Sequence, residues 1–148
     1  MPPYFGGGRP VKTRVKWVEN ALFVGETGSG HVVAMDGPAE GGGHNLAARP
    51  MEMLLTGMGG CTAFDVVDIL RKGRHEISGC EVRVDAERAE SIPKVFTKIH
   101  VHFVISGRNL AENAVQRAVQ LSAEKYCSAS IMLGKTAEIT HDYEIVAV

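Results

Sequence analysis

Sulfur offers this sequence its most distinctive chemistry, and its three cysteines stand in unlike settings. Cys61 follows Gly59-Gly60 inside a helical pattern, with Asp65 one turn later and Asp68 two turns later on its own side. A helical side that reads Cys61, Phe64, Asp65, Asp68 is poorly explained as core. Nearby carboxylates raise a thiol pKa, so an activating cation has to come from elsewhere in the fold. Cys127 stands at the end of a second helical pattern, in Glu124-Lys125-Tyr126-Cys127-Ser128. By type and setting alone, Cys61 and Cys127 read equally well as packed residues and as working thiols, because free cysteine is commonly buried. Cys80 alternates with Val82 and Val84 on an apolar strand face and reads as a buried filler.

The bulk composition sets the frame for that sulfur. A chain of 148 residues, 45% hydrophobic and 22% charged, has the make-up of a single globular domain, residues 1–148, able to form a core without staples. A net charge of -1 with both signs mixed along the chain gives no basic stripe, which argues against nucleic acid as a partner. Met1 to Pro10 is rich in Gly and Pro and reads as a flexible segment without the apolar run of a secretory signal. No stretch has 18 consecutive apolar residues, so the expectation is a cytoplasmic protein with no membrane partner. Cysteines that are odd in number, in a reducing compartment, point to catalytic or redox-sensing sulfur rather than a disulfide framework. No C-x-x-C pair and no histidine beside a cysteine appears, which argues against a metal site, and no cofactor is expected.

Those residues have to be positioned by regular elements. Val11, Thr13, Val15 and Trp17 alternate with Lys12, Arg14, Lys16 and Val18 as a strand with one covered face does. Glu19-Asn20 and Thr27-Gly28-Ser29-Gly30 turn the chain into second and third strands over 21–24 and 31–35. The glycines through Gly41-Gly42-Gly43-His44-Asn45 predict an irregular, mobile loop. Pro50 suits the first position of a helix reaching about Lys72, with an apolar face of Met51, Leu54, Leu55, Met58, Thr62, Val66, Ile69 and Leu70. Gly57, Gly59 and Gly60 on that helix predict a kink or a closely packed backbone. Two further strands, from Ser78 to Ala86 and from Val95 to Ile105, make a hairpin around Pro93. Asn109 with Glu112 reads as a capping box for the second helix, one side of which carries Val115, Ala118, Val119, Ser122 and Tyr126, and a last strand runs from Ala137 to Ile145. His100 and His102 fall on a polar strand face and read as exposed, His75 and His141 as isolated, and Met51, Met53 and Met58 as core or interface packing.

Glu52 lies nine residues before Cys61, which in a straight helix is about 13 to 14 Å of rise and half a turn. One chain does not easily bring the two together, so Glu52 either serves the partner's Cys61 in a dimer or simply favours the helix start, where an acid is stabilising.

The runs Pro50-Met51-Glu52-Met53-Leu54-Leu55, Gly59-Gly60-Cys61-Thr62-Ala63 and Glu124-Lys125-Tyr126-Cys127-Ser128, with the two cysteines 66 positions apart, resemble the OsmC/Ohr superfamily. The likeness covers Val11 to the C-terminus, and Val15-Lys16-Trp17-Val18-Glu19 with the Cys127 run looks most like its YhfA-like branch. The resemblance implies an α+β, OsmC-like fold: antiparallel sheets wrapped around two long central helices in an intertwined homodimer, with sites at the subunit interface. It also implies a thiol-dependent peroxidase of the oxidative or osmotic stress response, needing an external dithiol reductant and no cofactor. Cys61 would be the peroxidatic thiol and Cys127 its resolving partner. An arginine paired with Glu52 would stabilise the thiolate; Arg14 occupies the place where the branch carries an arginine, and Arg49 lies beside the glutamate. Leu54, Met58 and Phe64 favour organic hydroperoxides over small polar ones. The alternative is a non-catalytic, stress-related dimer that binds a small apolar ligand in the interface pocket.

Overall fold

A computed structural model describes residues 10–148. The expected flexible segment 1–10 therefore lies outside the described residues, apart from Pro10. The chain forms two compact units, one ending at Met53 and one running Leu54–Val148.

In the first unit, β1 (Thr13–Glu19), β2 (Leu22–Thr27) and β3 (Val32–Met35) form an antiparallel meander in the order β1-β2-β3. Asn20, at φ 50°, and Gly30, at φ 93°, make the two reversals. Trp17 pairs with Phe23 and Phe23 with Met35, while Val15 pairs with Gly25 and Gly25 with Val33. One face therefore carries Val15, Trp17, Phe23, Val33 and Met35. The alternation is the expected one, but the covered face is not: every residue of β1 is exposed, Trp17 to 66%. A three-stranded sheet buries a face only when another layer lies on it, and strand periodicity does not say which layer that is.

The glycine-rich loop is tied down rather than loose. Asp36, only 2% exposed, accepts the Gly37 N–H at 2.7 Å on one carboxylate oxygen and those of His44 and Leu46 at 3.2 and 3.1 Å on the other. These amides hold its carboxyl below the usual aspartate range, the Gly37 bond contributing most. A side chain at Gly43 would run into the Gly37 carbonyl and Asp36 Oδ1, so the glycine there is a packing requirement.

The long helix α1 (Pro50–Lys72) begins at the proline, as its fixed φ and missing N–H favour. Met58, Thr62, Val66 and Leu70 form its buried stripe. A Cβ at Gly59 would lie 3.6 Å from Val84 Cγ2 and 3.9 Å from Val82 Cγ1, an ordinary van der Waals contact with side chains rather than the closely packed backbone expected. Gly57 and Gly60 face open space, and the helix runs through all three without interruption. By length and composition alone α1 could cross a membrane, with a mean hydropathy of 1.4. The core helix of a soluble protein meets the same measure, and a third of this apolar window is buried within the chain.

In the second unit β4 (Glu76–Arg88) and β5 (Phe96–Arg108) form the expected antiparallel hairpin, with a cis Ile92-Pro93 bond in the turn. The expectation of purely antiparallel sheets is corrected by the next strand: β6 (Glu138–Ala147) runs parallel to β5. Parallel neighbours need a long crossover, and the helical segment between β5 and β6 supplies one. That segment comprises α2 (Glu112–Leu121), a π-helical turn (Ser122–Tyr126) and α3 (Ser128–Leu133). The expected capping box does not form, because Asn109 adopts φ 53° in leaving β5 and the cap falls on Ala111 with no side-chain bond. Ile99, Val101, Phe103 and Ile105 of β5 and Val115, Ala118 and Val119 of α2 are among the buried side chains. Half-buried His141 shares the inner face, its ring stacked on Phe103, and burial holds its pKa below the ordinary histidine value.

On the outer face of this sheet His100 and His102 converge on Asp142. Its Oδ1 lies 2.9 Å from His100 Nε2 and 2.6 Å from His102 Nδ1. The Asp142 hydrogen bond is the main cause that raises His102 above its ordinary 6.5, and the same bond chiefly lowers Asp142 below 3.8. A histidine raised on folding contributes stability that is full below 6.5 and is lost as pH rises through its folded pKa. An aspartate lowered on folding contributes stability that is full above 3.8 and is lost as pH falls through its folded pKa. Asp142→Asn is therefore expected to destabilise the protein most near about pH 5 and least near about pH 9, and to lower the His102 midpoint. Urea melts at both pH values and an NMR titration check this; equal losses at both would contradict it.

Candidate functional site

Helical phase decides which side chains of α1 meet the crossover segment. Thr62 and Asp65 are three residues apart and Cys61 and Asp65 four, so all three lie on neighbouring positions of one side. Opposite them the chain leaves α2 through the π-helical turn, closed by the Cys127 N–H donating to the Ser122 carbonyl at 2.8 Å. Turns of this kind shift the phase of a helix end and often occur at functional sites. Cys127 then takes an extended conformation, φ -76° and ψ 96°, and caps α3.

The two segments are joined by a chain of buried hydroxyls. Ser122 Oγ donates to Asp65 Oδ2 at 2.9 Å and lies 2.7 Å from Thr62 Oγ1, so with its proton committed to Asp65 it accepts from Thr62. Next to this chain the sulfurs of Cys61 and Cys127 and a carboxylate oxygen of Asp65 all lie within 4.8 Å of one another. Sixty-six residues of sequence separation are thus closed within the second unit of one chain. A disulfide needs about 2.0 Å between the sulfurs, so a modest closing movement would bring them to bonding distance.

The two thiols differ in surroundings. Cys61 is half-buried, whereas Cys127 is fully buried and receives hydrogen bonds from Ser130 N–H at 3.4 Å and Ser130 Oγ at 3.0 Å. Burial pushes the Cys127 thiol up to about 11, against the opposite pull of the Ser130 bonds, and the neighbouring Cys61 adds to the rise. Cys127 is therefore a neutral thiol at neutral pH. Asp65 is also raised, first by burial and further by Asp68, while the Ser122 bond pulls it down. The expected penalty of two carboxylates beside Cys61 is smaller than their count suggests. Asp65 ionises less readily, and Asp68 pairs with Lys72 at 2.8 Å.

The remaining expected site residues are all in the first unit. Glu52 Oε1 accepts the Arg49 N–H at 2.8 Å, one arm of a capping box, so its helix-start role is realised. The Arg49 guanidinium donates to Asn45 Oδ1. Arg14, on β1, stands 4.0 Å from Glu26 with both side chains mostly exposed. Of the three cysteines, Cys80 is the half-buried strand residue its alternation implied, with burial raising its pKa. Sequence reading placed Thr62 and Ser122 on apolar helix faces and passed over Ser130. The available signal was a hydroxyl on each of two core stripes, one of them three residues from an aspartate. Two cavities of the second unit, of about 390 and 740 Å³, are lined by residues of the sheet and α2, among them His100 and Thr140 in the first and Glu112, His141 and Tyr143 in the second. The cysteine pair lines neither.

Fold and site together define a mixed α/β protein with two sheets and a pair of neighbouring thiols, one half-buried and one fully buried. The chain belongs to the OsmC-like protein family, whose sequence model matches residues 42–142. It is 52% identical over 137 residues to Protein YhfA of Escherichia coli (strain K12), a match spanning 93% of this chain and 99% of that protein. A solved structure of a hypothetical protein from Aquifex aeolicus VF5 is 27% identical, with a TM-score of 0.83 over 95% of this chain and 99% of its own. An organic hydroperoxide resistance protein OsmC from Legionella pneumophila shares the fold, with a TM-score of 0.68 over 92% of this chain and 97% of its own at 15% identity.

The hydroxyl chain yields a stability test. Ser122→Ala removes the hydroxyl that bridges Thr62 and Asp65 and is expected to cost about 1–3 kcal/mol, the penalty for leaving a buried polar group unsatisfied. Urea denaturation measures it, and a loss below about 0.5 kcal/mol would show that these groups find other partners.

Proposed function

We propose that this chain is a thiol-dependent peroxidase that reduces organic hydroperoxides in the cytoplasm, acting as a homodimer in oxidative or osmotic stress protection. The observation that carries the reading is the meeting of Cys61, Cys127 and Asp65 within 4.8 Å. The fold shared with an organic hydroperoxide resistance protein supports it. So does the contrast between the two thiols, since Cys127 is buried and neutral and suits the resolving step, leaving Cys61 to attack.

In this reading the Cys61 thiolate attacks the outer peroxide oxygen, the O–O bond breaks, and the alkoxide leaves and takes a proton to become the alcohol. Cys61 is then a sulfenic acid. The Cys127 sulfur displaces its hydroxyl as water and forms the disulfide, and an external dithiol reduces that disulfide while being oxidised to its own. Either Arg14 or Arg49, paired with Glu52, would supply the cation that favours the Cys61 thiolate. A second copy of the chain would cover the exposed face of Val15, Trp17 and Phe23 and the open side of α1 at Leu54, Gly57 and Gly60, placing two long helices at the centre. That same open apolar side favours a second reading, a non-catalytic dimer that holds a small apolar ligand.

Consumption of cumene hydroperoxide with a dithiol reductant separates the two. Peroxidase action predicts turnover by the parent protein and a loss on the order of 100-fold or more in Cys61→Ser. Cys127→Ser should still form the sulfenic acid but fail to cycle, and of Arg14→Ala and Arg49→Ala the one that removes the activating cation should slow Cys61 oxidation. No turnover, or a Cys61→Ser protein as active as its parent, would remove the peroxidase reading.

A further inference from the structure

We propose that Cys61, Asp65 and Cys127 form a binding site for a thiophilic divalent cation, Zn²⁺ in class, in the reduced protein. The donors are two sulfurs and a carboxylate oxygen, all within 4.8 Å of one another. Around a tetrahedral zinc, with Zn–S of about 2.3 Å and Zn–O of about 2.0–2.2 Å, two sulfurs sit about 3.8 Å apart and a sulfur and an oxygen about 3.5 Å apart. The site therefore needs to contract by about 1.0 Å at most between the sulfurs and about 1.3 Å at most between a sulfur and the oxygen to reach ligand geometry. Cys61 and Asp65 come from one side of α1 at a spacing of four, the arrangement by which one helix presents two ligands to one ion. Cys127 comes from the phase-shifted end of the π-helical turn. Close spacing in sequence is absent, so the tertiary fold, rather than a local motif, assembles the donors.

The residues behind the ligands are also those of a built site. Asp65 is oriented by the Ser122 hydroxyl, itself held by Thr62, and Cys127 by the amide and hydroxyl of Ser130. Such outer hydrogen bonds fix ligand orientation and contribute strongly to affinity in metal sites. Two thiolates and one carboxylate suit zinc or cadmium and disfavour magnesium or calcium, which prefer all-oxygen sets. Three protein ligands leave the fourth position open. Binding M²⁺ releases the two thiol protons and oxidises nothing. Its consequence for the proposed peroxidase, which rests on that reading, is regulatory: a bound cation occupies both sulfurs, and the disulfide and the metal complex exclude each other.

The test uses the full chain, reduced, freed of reductant and kept anaerobic, with Co²⁺ as a spectroscopic probe and Zn²⁺ as its competitor. The expected result is a thiolate-to-cobalt charge-transfer band with tetrahedral d–d bands, saturating near one Co²⁺ per chain and discharged by Zn²⁺. Cys61→Ser and Cys127→Ser should each lose most of the charge-transfer band, and Asp65→Asn should keep it but bind roughly 10-fold or more weakly. In the unsubstituted protein, Zn²⁺ should slow alkylation of Cys61 and Cys127 but not of Cys80, which needs no variant to fold. Absence of the band in the reduced parent, its survival in both cysteine variants, unchanged affinity in a folded Asp65→Asn, or alkylation rates indifferent to Zn²⁺ would each overturn the proposal. Peroxide turnover measured with a chelator present tests the redox reading separately, so either can fail without the other.

Discussion

The arrangement of the second unit depends on the short polar chain Thr62, Ser122, Asp65 buried between α1 and the crossover segment. An unpaired aspartate in that position would cost several times what a hydrogen bond contributes, so the register between the two helical segments is fixed by the need to satisfy it. With that register set, Cys61 and Cys127 come into proximity. The sulfur site is a consequence of packing that must satisfy a carboxylate, and the π-helical turn that offsets Cys127 from the axis of α2 is what lets its sulfur face α1.

Much of the fold was legible in the sequence because its causes are local. Pro50 opened α1, alternation marked β1, β4, β5 and β6, and turn residues delimited β2 and β3. The glycines of the helix were taken as a sign of a kink or a close backbone, whereas Gly57 and Gly60 meet open space and Gly59 meets only the side chains of Val82 and Val84. The misreadings arose where local pattern gives no information. Periodicity does not distinguish parallel from antiparallel pairing, and the antiparallel sheets that the resemblance implied do not include the parallel pair of β5 and β6. The run from Asp36 to Asn45 looked loose because its order comes from one buried carboxylate gathering amides eight and ten residues away. Asn109 looked like a cap and was used instead to leave β5.

At the site, the cysteines and Asp65 stood out by residue type, and the family resemblance named the two cysteines whose sulfurs the fold brings within 4.8 Å. What the sequence did not disclose was the environment: Asp65 reads as an ionised neighbour that opposes a thiolate, but burial beside Ser122 raises its pKa and weakens that opposition. Thr62 and Ser122 were counted as core because a hydroxyl on an apolar stripe looks like filler until its partner is known. The likeness to YhfA spans nearly the whole chain, so the same hydroxyl chain and thiol pair can be sought in that relative residue by residue.

The central claim is that the fold places two thiols, distant in sequence, as a reactive pair within one chain. Peptide mass mapping under non-reducing conditions, after one equivalent of an organic hydroperoxide is added to the reduced protein, tests it directly. The account predicts a peptide pair linked through Cys61 and Cys127 within a single chain, with Cys80 still a free thiol. A bridge that involves Cys80, a bridge between two chains, or three free thiols after the peroxide is consumed would contradict it.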